Sequence, residues 1–270
     1  MLFCGLLHLN ALLCMSVIGV GTVLWYGKPH EMAAPSWVEH VGVIRSCFLL
    51  DEGPDGSVTH CVRHIKKLCG DNAYVRCIIM SESSFYHPAV IERWHELARD
   101  MWLHDVLCPA IMGGYYVSKG GFYNTIAFVE GDRVIAKYYK SHATPFIEKI
   151  PWMLHNSCIK KLFHKAQGEL ILGNGIHPVW EIMPGVRVVP YVCSELFCAA
   201  RQLDDHHNLP ILALCNTRWA SSHMQRLMLE GARLRALEWN REILFIAQND
   251  ASWCSPHGTV QALTRESLYC

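Results

Sequence analysis

Short apolar runs of strand length alternate along this chain with stretches whose apolar residues recur every three to four positions. Residues 2–26 contain no Lys, Arg, Asp or Glu. A run of that length predicts one apolar helix, since roughly 20 apolar residues span a bilayer. Residues 28–37, with two prolines just after Gly27, read as a linker, and residues 38–270 as one folded domain. Within the domain, VEHVGVI (38–44) predicts a first strand. The turn chemistry of EGPDG precedes a helix that keeps Val58, Cys61, Val62, Ile65 and Leu68 on one face. AYVRCIIM is a strand running into Glu82. Pro88 opens a further helix, whose stripe is Val90, Ile91, Trp94, Leu97 and Met101. VLCPAIMGGYY, FYNTIAFV and RVIAKYY predict three strands, the last two joined at Glu130–Asp132. Residues 141–184 show little periodicity and read as a long functional loop. VRVVPYV is a strand in which Pro190 marks an edge or an irregular end. LPILALCN predicts a strand, Met224–Asn240 a helix, and EILFIAQ with residues 259–263 the last strands.

Strands and helices in this order predict a mixed α/β domain with helices outside packed sheets. Pattern alone leaves the sheet topology open. The 51% hydrophobic content argues against disorder, and 270 residues suffice for a sizeable core. Lys plus Arg equals Asp plus Glu at 24 each, so no basic excess points to nucleic acid. The 13 cysteines show no CxxC pair, and most read as small buried hydrophobes. His206-His207 is the densest pair among 16 histidines, but no metal-ligand spacing accompanies it, so neither a metal nor another cofactor is expected.

Three segments carry candidate chemistry. CIIMSES places Glu82 just past a strand, YYKSHATPFIEKIP contains Lys140 and Glu148, and VRVVPYVCSEL places Cys193 past another strand. A thiol can attack a carbonyl, a carboxylate can carry protons, and an ammonium can meet the oxyanion. Each residue also has a plain reading. Twelve other cysteines compete with Cys193, and Lys137 competes with Lys140. Glu82 could cap the Pro88 helix, Glu148 could be a loop charge, and Trp219 could be core. Glu195 could support the Cys193 turn or cap a helix over 195–201, and the Ser194 N–H could join Lys140 around an oxyanion. The Arg/Glu pattern of the 224–241 helix reads more simply as surface ion pairing.

Together these segments resemble the nitrilase (carbon–nitrogen hydrolase) superfamily, which carries a Glu-Lys-Cys triad in this chain order. The branch it most resembles is apolipoprotein N-acyltransferase. Lys140, Pro145, Phe146, Glu148 and Pro151 match its Lys-x4-Pro-Phe-x-Glu-x2-Pro element, and Cys193 with Glu195 its Cys-x-Glu element. Asn216 with Trp219 is similar to its Asn-x2-Trp element. Ala232, Arg233, Arg235, Ala236, Glu238 and Arg241 are similar to its downstream helix. The conjugal-transfer TraB group shares this domain. The family's usual Pro before the triad Glu is Ser81 here. The acyltransferases carry several membrane helices before the domain, where this sequence has room for one, as a fragment or a shorter relative would.

The resemblance implies a four-layer α-β-β-α sandwich preceded by one apolar helix. It implies Glu82, Lys140 and Cys193 as catalytic residues, and it selects Lys140 over Lys137. Glu148, Glu195 and Ser194 would support them, and Asn216 and Trp219 would line the substrate pocket. The expected protein is a membrane-anchored thiol enzyme of a bacterial inner membrane. It would take an acyl group from a lipid ester or an amide and pass it to an amine or water. The membrane and these acyl substrates are the expected partners, with homo-oligomerisation as an option and no nucleic acid. Two alternatives stand beside it: a non-catalytic membrane-tethered assembly component of a transfer system, and a soluble small-amide hydrolase.

Overall fold

The computed structural model describes residues 32–46, 65–68, 74–82, 108–118, 121–131, 133–144, 169–198, 206, 208–217, 220–248, 250–263 and 266–269. The chain divides into two units, Met1–Glu31 and Met32–Cys270, and all described residues belong to the second. The expected apolar helix over 2–26 and the Pro88 helix lie outside the described residues. Among the described residues no helix is long and apolar enough to cross a membrane.

Two sheets organise the domain. The first contains β1 (Val41–Ser46), β2 (Cys77–Met80), β3 (Ala110–Ser118), β4 (Gly121–Glu130), β5 (Arg133–Tyr139) and β13 (Glu266–Tyr269), in the order β13-β1-β2-β3-β4-β5. The two-residue β6 (Glu169–Leu170) also pairs with β4. The second sheet contains β7 (Trp180–Met183), β8 (Val186–Val192), β9 (Ile211–Leu214), β10 (Ile243–Ile246), β11 (Ala251–Cys254) and β12 (Val260–Ala262), in the order β12-β11-β10-β9-β8-β7. Strands β13, β1, β2 and β3 run parallel, as do β8, β9 and β10, while β3–β4–β5 in the first sheet and β10–β11–β12 and β7–β8 in the second are antiparallel. Helix α1 is Glu195–Cys198 and helix α2 is Ser222–Trp239.

Period-two alternation decides which face each strand residue joins. Val41, Val43, Cys77, Ile79, Ile126 and Phe128 share one core with the second sheet, where the Phe128 and Trp180 rings stack 5.9 Å apart. Their neighbours Ile44, Ile78, Met80, Met112, Ala127 and Val129 form another core with Ile65 and Leu68 of the helical residues 65–68. A Cβ on Gly42 would lie 2.5 Å from Leu68 Cδ2, so glycine lets this helical turn seat against β1. Met228, Ala232 and Ala236 of α2 join the larger core. The Ser221 side chain accepts from Met224 N at 3.3 Å to start α2, and left-handed Asn240 (φ 50°) ends it.

Several boundaries differ from the sequence expectation. Residues 36–40 form a 3-10 turn, so the first strand begins at Val41 rather than at residue 38. The segment expected as a long loop holds β6 and β7. Strand β7 escapes the pattern because it is only four residues long and its register with β8 shifts between Glu181 and Met183. Pro184-Gly185 makes the turn, with Gly185 at φ +77°. Strands β11 and β13 were not foreseen either. The expectation for Pro190 is met in a specific way. Val189 and Cys193 donate to Pro210 O and Leu214 O, so the intervening Pro190 faces away from β9, past the end of the β7 pairing. A residue without an N–H fits there at no cost in ladder bonds.

Candidate active site

The sequence-predicted residues come from different strand ends and meet at one edge of the two sheets. Glu82 follows β2, Lys140 follows β5, Cys193 follows β8, and Asn216 lies two residues past β9.

Glu82 and Lys140 form a buried ion pair. Lys140 Nζ lies 3.3 Å from Glu82 Oε1, with side-chain exposures of 1% and 3%. Two charges taken out of water are held only if their remaining bonding capacity is used. Glu82 meets this condition. Its Oε1 also accepts from Asn124 Nδ2 at 2.6 Å, and its Oε2 accepts from Asn216 N at 2.7 Å. Gln248 Nε2 donates to the Glu82 carbonyl at 2.9 Å, while Gln248 Oε1 accepts from Thr217 N at 2.5 Å. Lys140 Nζ further donates to Thr144 Oγ1 at 3.4 Å. The Lys140 backbone is fixed on both sides, donating to Asn124 O and accepting from Gly173 N, each at 2.8 Å. A Cβ on Gly173 would lie 2.2 Å from Tyr139 O, so only glycine permits that approach.

Cys193 has φ +46°, in the left-handed region that non-glycine residues occupy at a cost of about 1–3 kcal/mol. The strand turns sharply there into α1. Three bonds hold the turn: Cys193 N to Leu214 O at 2.8 Å, Leu196 N to Cys193 O at 3.2 Å, and Phe197 N to Ser194 O at 3.0 Å. The fully buried Cys215, at the end of β9, adjoins Cys193. Burial pushes the Cys215 thiol well above the ordinary range, neighbouring Cys193 and the Glu82 charge push the same way, and Lys140 opposes them. One sulfur thus senses Cys193, Glu82 and Lys140 together.

Glu195 is a structural knot beneath the turn. It is completely buried. Its Oε2 accepts from Val192 N at 2.8 Å. Its Oε1 accepts from Tyr138 OH at 2.8 Å, Ser141 N at 2.5 Å and Ser141 Oγ at 2.7 Å. One carboxylate therefore ties the Cys193 strand to the residues flanking Lys140. Burial, followed by the Glu195 charge, raises the Tyr138 phenol, which stays protonated as the donor. Behind it, His177 Nδ1 donates to Pro190 O at 2.8 Å, and its ring stacks on Tyr191 at 4.0 Å. Ser194 Oγ donates to His142 O at 2.8 Å, a second tie between the two strand ends.

Glu148 and Trp219 lie outside the described residues. Asn124, Gln248, Thr217, Tyr138, Ser141 and Cys215 were not singled out from the sequence. Lys137, the rival lysine, points elsewhere: its ammonium sits 4.1 Å from the centre of the Tyr116 ring. A cavity of about 530 Å³ opens beside β5 between Tyr123, Tyr139, Asn174 and Ile176, and none of Glu82, Lys140 and Cys193 lines it. No group of metal-binding side chains occurs among the described residues.

No family sequence model matches the chain, and no curated protein sequence does. Solved structures do. A mutant of the Nesterenkonia AN1 amidase from the nitrilase superfamily superposes with a TM-score of 0.58 at 12% identity, over 83% of this chain and 86% of that one. A carbon–nitrogen hydrolase from Helicobacter pylori G27 gives 0.54 at 11%, over 83% and 85%. Glutamine-dependent NAD+ synthetase from Acinetobacter baumannii, in complex with ADP, gives 0.55 at 14% and covers 77% of this chain. This chain spans 40% of the synthetase's length. At these identities the likeness concerns the fold alone, which this chain shares with these three solved structures.

Proposed function

We propose that this chain is a thiol-dependent acyl-transfer enzyme of the amidase or N-acyltransferase type, with Cys193 as nucleophile, Glu82 as proton carrier and Lys140 as oxyanion partner. The observation that carries the reading is the buried Glu82–Lys140 pair beside a cysteine held in left-handed backbone. Paired charges and local strain both cost stability, and neither is needed to close the core.

The reaction runs in two halves. Glu82 takes the Cys193 thiol proton as the sulfur attacks the carbonyl carbon of an amide or ester. The tetrahedral oxyanion faces the Lys140 ammonium and the Ser194 N–H. Collapse breaks the bond to the leaving amine or alkoxide, which takes the proton back from Glu82, and a thioester remains on Cys193. Water or an amine then gives its proton to Glu82 and attacks the thioester, and the released sulfur recovers the proton. Glu148 orients Lys140 or the incoming nucleophile, and Asn216 and Trp219 line the acyl pocket. Asn124 and the Asn216 N–H hold the carboxylate in place through both halves. Residues 2–26 tether the domain to a membrane, which makes a lipid ester one donor of the right location.

The test is turnover of a panel of short-chain amides and esters by three variants whose folding is verified by circular dichroism. Glu82→Gln and Lys140→Met are each expected to lose at least ~100-fold, the scale for one proton carrier or oxyanion donor. Lys137→Met is expected to lose far less. Equal losses at Lys137 and Lys140 contradict the assignment.

A further inference from the structure

We propose that Cys193 and Cys215 form a reversible disulfide under hydroperoxide stress, which masks the nucleophile and protects it from irreversible oxidation. This modification site rests on the reading of Cys193 as a reactive thiol.

The geometry comes from strand register. Strands β8 and β9 are parallel, with Val192 opposite Leu214. The Cys193 N–H donates to Leu214 O at 2.8 Å, so pairing continues one residue beyond the strand. The next residue on each chain segment is a cysteine. Neighbouring strands lie about 4.8 Å apart, inside the Cα window of roughly 4.4–6.8 Å that a disulfide spans. Both cysteines are free. Cys193 is 5% exposed and Cys215 fully buried.

The acyl-transfer cycle makes no use of Cys215. Burial keeps it protonated, so it does not compete with Cys193 for substrate. It becomes reactive when its neighbour is oxidised. The Cys193 sulfur attacks one oxygen of a hydroperoxide and the O–O bond breaks. Sulfur loses two electrons, the peroxide gains them, and an alcohol or water leaves with the thiol proton. Cys193 is then a sulfenic acid. The Cys215 sulfur attacks the sulfenic sulfur, the S–OH bond breaks, and hydroxide departs with the Cys215 proton as water. Two thiols and one hydroperoxide give one disulfide, one alcohol and one water. An external dithiol reverses the change by exchange.

The experiment treats the reduced full chain with hydrogen peroxide and maps its cysteines by mass spectrometry without reduction. The expected product is a linked peptide pair joining Cys193 to Cys215, two hydrogens lighter than the separate thiols. Labelling of Cys193 by iodoacetamide is lost and returns after dithiothreitol. In Cys215→Ala, compared with its own reduced form, Cys193 is expected to gain two oxygens, and dithiothreitol does not restore labelling. The wild-type map stands whether or not the variant folds. A wild-type chain whose Cys193 goes directly to the two-oxygen product, or links to another cysteine, overturns the proposal. Failure of the acyl-transfer reading looks different: the reduced protein forms no acyl adduct on any donor, while peroxide still links the two cysteines.

Discussion

Two ion-paired regions of this molecule look alike in sequence and differ in physics. Helix α2 carries Arg233–Glu230 at 2.7 Å and a close Arg235–Glu238 pair, all on partly to well-exposed side chains. The strand-end site carries Glu82–Lys140 at the longer distance of 3.3 Å, almost without exposure. Distance alone ranks the helix pair first. Burial reverses the order, because water screens the helix pair and cannot replace either member of the buried one. The helix pairs are decoration on a surface, with Arg235 also bonding Phe197 O at 2.7 Å and lying over the Trp239 ring. The buried pair is an arrangement that fails if either partner is lost.

The largest expected effect is therefore on Lys140→Met. It leaves a buried Glu82 without its counter-charge and should destabilise the fold by roughly 3–5 kcal/mol. Urea denaturation measures this, and a loss below ~1 kcal/mol, the level of an exposed pair, removes the contrast. Glu195→Gln comes next. An amide cannot accept from all four of its present donors, and its NH2 meets either the Val192 N–H or the Ser141 and Tyr138 donors. Leaving one buried donor unmet costs about 1–3 kcal/mol. Because Glu195 joins the Cys193 turn to the Lys140 strand, the rate of Cys193 alkylation should change as well. A change in stability with an unaltered alkylation rate reduces Glu195 to a packing role. The smallest effect belongs to Arg233→Ala, expected within about 1 kcal/mol of the parent and with unaltered turnover.

Much of this contrast was legible in the sequence, for identifiable reasons. The three-strand run β3–β4–β5 has long apolar and aromatic segments and a Gly-containing turn, so its pattern survives without tertiary help. Glu82, Lys140 and Cys193 follow strands whose apolar character ends abruptly, which marks strand-end chemistry. The Arg/Glu pattern over 224–241 reads as surface pairing from spacing alone; Arg233 and Arg235 pair that way, while Arg241, past the end of α2, is buried and donates to Leu209 O. What escaped is whatever depends on a partner distant in sequence. Asn124 sits beside Thr125 in β4, where a polar residue reads as solvent-facing. Its burial makes sense only once Glu82, 42 residues earlier, lies 2.6 Å away. Gln248 is buried for the same kind of reason, bridging Thr217 to the Glu82 carbonyl. Cys215 reads as another small hydrophobe until the β8–β9 register sets it beside Cys193. The left-handed backbone of Cys193 has no sequence signal, since cysteine is not a residue that favours it. Short strands such as β7 and β13 fall below the length at which periodicity can speak.

The central claim is that Cys193 carries an acyl group. The most direct measurement is intact-protein and peptide mass spectrometry of the reduced chain after brief exposure to activated short-chain esters and amides, quenched in acid. The account predicts one acyl group per chain, on Cys193, released by hydroxylamine, absent in Cys193→Ala and slowed in Glu82→Gln. An adduct that forms preferentially on another cysteine, or undiminished turnover in Cys193→Ala, contradicts it.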